Sequence, residues 1–79
     1  MEWYNFIIEQ FNILKGSEYM GNKIKQLRLS KEWSIPELSR RSGVSTGLIC
    51  MIENNKVNPS IKKLQAITEA LGIELKDLL

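Results

Sequence analysis

Apolar residues recur at helical spacing along most of the chain and predict an all-α protein. A stripe of aromatic and aliphatic side chains within residues 2–15 predicts an amphipathic helix, which Gly16 and Ser17 would end. Residues 22–32 predict the next helix, with Asn22 as its N-cap. The inward-facing residues of that helix are expected to be Ile24, Leu27 and Leu29.

The middle of the chain predicts two short helices that meet at a corner. Ser34 and Glu37 form a capping-box pattern that begins one helix, and Ser45 predicts the N-cap of another over residues 46–53. Between them, Gly43 tolerates the positive φ that a steep turn requires. The inward-facing residues of the second helix, at i and i+3, are expected to be Ile49 and Ile52. This pattern is a helix-turn-helix, whose second helix has the size of a DNA major-groove reader.

Two further helices are predicted after a short loop. Ser60 and the proline before it begin a helix over residues 61–71, which Gly72 ends. Residues 74–79 predict a short final helix. The inward-facing residues of the longer helix are expected to be Leu64, Ile67 and Leu71.

Composition limits the function classes open to the chain. Its 79 residues allow one small domain, and the single Cys excludes an intramolecular disulfide and a cysteine-based metal cluster. The absence of His removes the commonest acid–base catalyst and metal ligand. We therefore expect no enzymatic activity, no metal or other cofactor and no small-molecule substrate. Because no apolar run is long enough to span a membrane and no signal peptide is convincing, we expect a cytoplasmic protein.

The net charge of +2 is unevenly distributed along the chain. Residues 1–18 contain three glutamates and one lysine, whereas residues 20–56 contain seven basic side chains and three glutamates. The positive field therefore lies on the segment with the helix-turn-helix pattern, where a phosphate partner would bind. A solvated helical face often shows a similar imbalance, so charge alone does not identify DNA as the partner.

Several segments resemble the phage lambda repressor and Cro superfamily, the XRE-type helix-turn-helix proteins. In chain order they are IKQLRLSKEWS, ELSRRSGVS, IEN, NPS and ALGIELKDLL, and the resemblance covers residues 21–79. It implies a five-helix bundle that binds operator DNA, usually as a dimer on a two-fold site. The chain then consists of that domain, residues 20–79, and an amphipathic N-terminal extension, residues 1–18.

The resemblance also implies which residues meet DNA. The positions that usually face base edges are occupied by Ser45, Thr46, Gly47 and Met51. The positions that meet phosphates just after the third helix of the domain are occupied by Asn54, Asn55 and Lys56. Arg40 and Arg41 are further candidates for phosphate contact, and the alternative for them is a solvated helical face.

Two departures from the family pattern bear on how DNA would be read. Ile35 stands where the family often has a Gln that holds a phosphate. On the expected reading face, Gly47 and Met51 cannot form bidentate hydrogen bonds with a base, and the spacing predicts that Leu48 is exposed as well. Contacts with thymine methyl groups, through Thr46 for example, and readout of DNA shape would have to contribute.

Three residues with reactive or charged side chains are interpreted as structural. The family commonly pairs the positions of Arg28 and Glu53 as a buried ion pair between the first and third helices of the domain. If buried, each charge needs the other. Cys50 is interpreted as an ordinary packed or partly packed thiol rather than a redox sensor.

For two apolar segments, the sequence does not decide which surface they pack against. Residues 3–14 could dock on their own domain, pair with another protomer, bind a different protein, or belong to an upstream extension of a chain that naturally starts at Met20. The apolar residues of the C-terminal tail could simply close the core, but a domain this small cannot bury all of them, so some are expected to form a subunit interface. These residues are Ile73, Leu75, Leu78 and Leu79. We expect a sequence-specific regulator of transcription that binds double-stranded DNA, namely a homodimeric repressor of phage or bacterial type. The alternative is a protein-interaction module, such as an antitoxin or adaptor that retains the fold.

Overall fold

The computed structural model describes residues 16–78. Within this range the chain forms four α-helices and one short 3₁₀ helix, with no strand, and none of the helices is long and apolar enough to cross a membrane. In chain order the elements are α1 (Gly16–Ser30), α2 (Ile35–Ser42), α3 (Thr46–Glu53), α4 (Ile61–Leu71) and the 3₁₀ helix Leu75–Asp77. The all-α prediction is confirmed for these residues. The amphipathic helix predicted at residues 2–15 lies outside them.

Helix α1 begins earlier than the sequence predicts. Gly16 and Ser17, expected to end a preceding helix, and Asn22, expected to cap the next one, all lie inside α1. These residue types are weak helix formers rather than obligatory helix ends, and packing overrides such preferences. α1 ends at Ser30, before the predicted end, and Glu32 just beyond it adopts a positive φ of 59°. α1 therefore runs across the predicted division between extension and domain.

Close packing against α3 explains the glycine inside α1. A Cβ at Gly21 would lie 2.5 Å from Asn55 Oδ1 and closer still to the main-chain oxygen of Ile52. No side chain tolerates such distances, so Gly21 is what lets the backbone of α1 touch the end of α3. The sequence patterns gave no indication of this contact, because a glycine inside a helical segment has no periodic signature.

The corner between α2 and α3 has the geometry that the sequence predicts. Each capping serine accepts a hydrogen bond from the N–H three residues later, at 3.1 Å for Ser34 Oγ and 3.2 Å for Ser45 Oγ. Gly43 takes a φ of 76°, and its N–H donates to the carbonyl of Ser39 at 2.8 Å. Glu37 does not complete the predicted capping box, because its carboxylate accepts hydrogen bonds from arginines of α2 instead.

The C-terminal part matches the prediction for α4 but not for the tail. Ser60 caps α4, and Gly72 ends it at a φ of 76°. The final helix predicted over residues 74–79 is, as far as residue 78, only the 3₁₀ turn Leu75–Asp77. So short a segment gains too few hydrogen bonds to offset the nucleation of an α-helix.

The core lies where the helices meet. Its buried apolar side chains are Ile24, Leu38, Val44, Ile49, Ile52, Leu64, Ile67, Leu71 and Leu78. The inward positions predicted for α3 and α4 are confirmed. Leu29, predicted to face inward, is 48% exposed, because the buried face of α1 continues from Ile24 to the charged Arg28. Leu78, named for a subunit interface, is buried inside the protomer and is excluded from that role.

Candidate nucleic-acid interface

Helix α3 separates its buried and exposed residues into two faces. Ile49, Ile52 and Glu53 are buried against the rest of the domain. Leu48, expected to be exposed, is half-buried and packs against the core. At about 100° per residue, the exposed positions share one side of the helix. We call this side the reading face, and its residues are Thr46, Gly47, Cys50 and Met51.

The residues predicted to meet base edges all lie at the surface. Thr46 and Gly47 open the helix, and Met51 is 43% exposed one turn later. A Cβ at Gly47 would have no neighbour within 4 Å, so this part of the face is open. Ser45 is also exposed, although its Oγ already caps α3. The structure therefore places all four residues at the surface, on α3 and at its N-cap, and base contact itself stays a prediction.

Cys50 belongs to the same face. The sequence predicts a packed or partly packed thiol, and the structure shows an exposed one, while the absence of a redox role for Cys50 stays a prediction. Its side chain is exposed, and it lies one helical turn after Thr46. The signal was available in the sequence, because positions i and i+4 of a helix share a side. Because free cysteines within apolar segments are usually buried, Cys50 was assigned to the core, and its i, i+4 relation to Thr46 was not used.

A buried ion pair fixes the orientation of α3. Arg28 of α1 donates from Nε to Glu53 Oε2 at 2.8 Å and from Nη2 to Glu53 Oε1 at 3.0 Å, and both side chains are more than 90% buried. The remaining Nη1 donates to the carbonyl of Trp33 at 2.7 Å. The hydrogen bond that Arg28 donates to Glu53 raises the pKa of Arg28 further above its ordinary value, so the guanidinium stays charged. The predicted ion pair is thus present, and it joins α1, α3 and the turn before α2.

A second arginine–glutamate cluster lies on the outside of α2. The Glu37 carboxylate accepts hydrogen bonds from Arg40 and Arg41, and the bond from Arg40 is the main reason that the pKa of Glu37 is lowered. The Arg41 guanidinium also lies 4.3 Å from the centre of the Trp33 ring, and Lys31 Nζ lies 5.4 Å from it. Both distances are typical of cation–π contacts. We call the three cations with Trp33 and Glu37 the α2 basic surface.

The three residues predicted to contact phosphates in the loop after α3 differ in their exposure. Asn54 and Lys56 are exposed, and Asn54 Nδ2 donates to the carbonyl of Cys50 at 2.9 Å. Asn55 is half-buried at a positive φ of 59°. Its Oδ1 is buried with no hydrogen-bond partner among the described residues and lies beside Gly21. The side chains of Asn54 and Lys56 are therefore placed to reach a ligand, whereas that oxygen of Asn55 faces the contact between α1 and α3.

A groove of about 340 Å³ lies between α4 and the 3₁₀ helix, on the part of the domain built from the C-terminal residues. Its lining residues are Gln65, Thr68, Glu69, Ile73, Glu74, Leu75 and Lys76. Ile73 and Leu75 are only half-buried there. Among residues 16–78 no group of three or more Cys, Asp or Glu side chains is arranged to hold a metal ion.

The capped corner, the outward-facing α3 and the neighbouring cations together define a helix-turn-helix domain of the kind that enters a DNA groove. The helix-turn-helix family model matches residues 24–78 of this chain. The chain therefore belongs to the helix-turn-helix family, of the lambda repressor and Cro type, and the resemblance noted in its sequence is confirmed. Regulators of this family bind double-stranded DNA.

Curated relatives include proteins of bacteria and of a phage. The HTH-type transcriptional regulator SinR of Bacillus subtilis is 36% identical over 61 residues, which cover 76% of this chain and 55% of SinR. The HTH-type transcriptional regulator SutR of Escherichia coli is 30% identical over 57 residues, 72% of this chain and 32% of SutR. The immunity repressor protein of Bacillus phage phi105 is 30% identical over 56 residues, 71% of this chain and 39% of the repressor. The chain thus spans about half the length of SinR and less of the other two.

Proposed function

We propose that this protein is a sequence-specific regulator of transcription that binds double-stranded DNA through α3. The observation that carries the proposal is the open reading face at the N-terminal end of α3. That face is exposed, whereas the opposite side of the same helix is fully used in the core. The relatives named as transcriptional regulators and as a phage repressor support the same role, and repression by steric blocking is the mode that we infer.

The reading face would recognise bases mainly by contact and shape. Thr46 can donate or accept one hydrogen bond and can touch a thymine methyl group, and Met51 offers only apolar contact. Asn54, Lys56 and the cations of the α2 basic surface would supply phosphate contacts, which fix register without reading sequence. Ile35 offers no side-chain donor at the start of α2, so that phosphate contact would be absent or would come from the backbone. Specificity would depend on DNA shape because Gly47 and Met51 cannot form bidentate hydrogen bonds with a base.

Chemical modification of Cys50 tests whether α3 enters the groove. The chain contains one Cys, so a maleimide attaches a bulky group to the reading face alone. We expect the modified protein to lose binding to a mixed-sequence duplex in a gel-shift assay, and we expect saturating DNA to slow the modification. The matched control is Gln26→Cys in a Cys50→Ser background. Gln26 is exposed midway between Ile24 and Arg28, and therefore on the side of α1 that faces away from α3.

The two labelled proteins separate the possible outcomes. If modification at Gln26→Cys leaves duplex binding intact while modification at Cys50 abolishes it, α3 is the DNA-binding element. Equal binding of both labelled proteins would overturn the proposal. The unmodified protein should also lose affinity steeply between about 50 and 200 mM salt, because phosphate contacts release counterions. An adaptor or antitoxin-like module would show little duplex binding at either salt concentration.

A homodimer is part of the proposal, with two α3 helices about 34 Å apart in successive major grooves. The groove beside the 3₁₀ helix supports a homodimer, because Ile73 and Leu75 remain partly exposed there between charged side chains and could pack against a second copy. Sedimentation of the full chain measures the oligomeric state directly. We expect a dimer for the natural sequence and a monomer for Ile73→Lys, with an unchanged helical circular dichroism spectrum. A monomeric natural protein would remove the dimer from the proposal; residues 3–14 stay a predicted partner-binding segment.

A further inference from the structure

The two neighbouring arginines of the α2 basic surface are held in different ways. Arg40 directs both Nε and Nη2 to the Glu37 carboxylate, which is the paired geometry of a closed ion pair. Arg41 uses only Nε for Glu37, at 2.6 Å, while its Cζ lies over the Trp33 ring, 4.3 Å from the ring centre. The contacts among the described residues thus leave both terminal nitrogens of Arg41 with free N–H groups. Arg41 remains 44% exposed.

We infer that Arg41, and not Arg40, is the phosphate anchor of α2, and that Trp33 and Glu37 are the positioning residues that orient it. This inference rests on the proposed function. A guanidinium presents its terminal N–H groups as a planar fork that matches two phosphate oxygens. In Arg41 neither terminal nitrogen is hydrogen-bonded to another described residue, whereas in Arg40 one terminal nitrogen is already bound to a carboxylate.

Preorganisation explains why such an arrangement binds an anion well. A free arginine side chain loses rotamer freedom when it binds, and this loss subtracts from the affinity. Stacking on Trp33 and the hydrogen bond to Glu37 restrict Arg41 before any ligand arrives. Because Glu37 also pairs with Arg40, its single negative charge is shared between two cations, and the cluster keeps a net positive charge.

The main chain of Trp33 is held in a fixed position relative to the reading face, and its side chain packs against the core. The N–H of Trp33 donates to the carbonyl of Arg28 at 3.1 Å, and its carbonyl accepts from Arg28 Nη1 at 2.7 Å. Arg28 is bound on its other side to Glu53 at the end of α3. The support for Arg41 therefore connects through two residues to the helix that would enter the groove, so phosphate and base contacts share one rigid frame.

Two variants that lower the net charge by the same amount test whether Arg41 rather than Arg40 is the phosphate anchor. Arg41→Ala and Arg40→Ala each remove one cation from the same exposed helix, and duplex binding of the full chain is measured across a salt series. For Arg41→Ala we expect about tenfold weaker binding and a logarithmic salt slope smaller by about 0.9, the value for one lost phosphate contact. For Arg40→Ala we expect a change of less than about threefold in affinity and an unchanged slope.

A double-mutant cycle tests the positioning role of Trp33. Trp33→Leu should weaken duplex binding in the natural sequence but have no further effect when Arg41 is already alanine, because Trp33 then has nothing to orient. Trp33→Tyr keeps an aromatic ring and should retain most of the affinity. Melting curves of all variants check that each is folded at the assay temperature.

The outcomes distinguish this inference from the proposed function. If the natural protein failed to bind duplex DNA, both the proposed function and the inference about Arg41 would be overturned. Duplex binding with equal salt slopes for Arg40→Ala and Arg41→Ala, or an equal loss from Trp33→Leu in both backgrounds, would overturn the inference while the proposed function stands. An α2 basic surface that serves an acidic protein partner instead would show itself as unchanged DNA binding in every one of these variants.

Discussion

The molecule contains two arginine–glutamate clusters of nearly the same chemistry in opposite surroundings. In the inner cluster, Arg28 and Glu53 have side chains that are only 8% and 3% exposed. In the outer cluster, Arg40 is 67% exposed, Arg41 44% and Glu37 31%. Both clusters contain a carboxylate that accepts more than one hydrogen bond from guanidinium groups. Their surroundings, not their contacts, determine what they do.

The difference shows how one chain separates folding from binding. Charges that are removed from water need their partners completely, so the inner cluster fixes the helices and has no capacity left for a ligand. Charges in water gain little from pairing, because solvent and salt screen them. The outer cluster can therefore leave N–H groups of Arg41 free at small loss of stability.

Loss of one inner partner should have the largest effect. For Glu53→Ala we expect unfolding to become easier by about 3–5 kcal/mol, because Arg28 is left buried and unpaired. Denaturant unfolding monitored by circular dichroism measures it. The matched control replaces both partners, as in Arg28→Met with Glu53→Leu, and should recover most of the lost stability. The main effect of Glu53→Ala should be on stability and not on DNA sequence preference. An unaltered melting curve for this variant would contradict the structural role of Glu53.

Replacement by alanine should have opposite effects on the free energy of unfolding at Gly21 and at Gly47. Gly21→Ala places a Cβ against Ile52 and Asn55 and should destabilise the domain by about 1–3 kcal/mol. Gly47→Ala adds a Cβ that meets nothing, and should stabilise α3 by up to about 1 kcal/mol. Thermal unfolding of the two variants side by side measures the difference. Equal effects would show that the contact between α1 and α3 is less close than the structure indicates.

The outer cluster should give the smallest effect on stability, and one that depends on pH. The lowered pKa of Glu37 means that its pairing with Arg40 and Arg41 stabilises the fold above the ordinary glutamate pKa of about 4.3. This contribution is lost as the pH falls through the lowered pKa. We expect Glu37→Gln to melt slightly below the natural protein at neutral pH and together with it in acid. A deficit that persists in acid would assign Glu37 another role.

Local signals in the sequence predicted the part of the fold that local chemistry decides. The capping serines Ser34, Ser45 and Ser60 and the helix-ending Gly43 and Gly72 act within one turn of themselves, and the structure confirms each of them. The inward face of α3 followed from its period for the same reason.

Features that depend on distant partners were not predictable in this way. Gly21 has a role only because the end of α3 lies against it, and Leu29 is exposed because a charged residue, Arg28, occupies the buried side of α1. A hydrophobic pattern cannot anticipate a buried arginine without the glutamate that pairs with it across the fold. The difference between Arg40 and Arg41 depends on the position of a tryptophan ring, which sequence spacing does not give.

The open position at Gly47 has a consequence for how this protein could change its target. A Cβ introduced there meets no neighbour within 4 Å, and most side chains favour a helix more than glycine does. Under the proposed function, glutamine, asparagine or arginine at this position would add the bidentate hydrogen bonding that the natural face lacks. We therefore expect substitutions at Gly47 to change the preferred DNA sequence while the fold of the domain is retained.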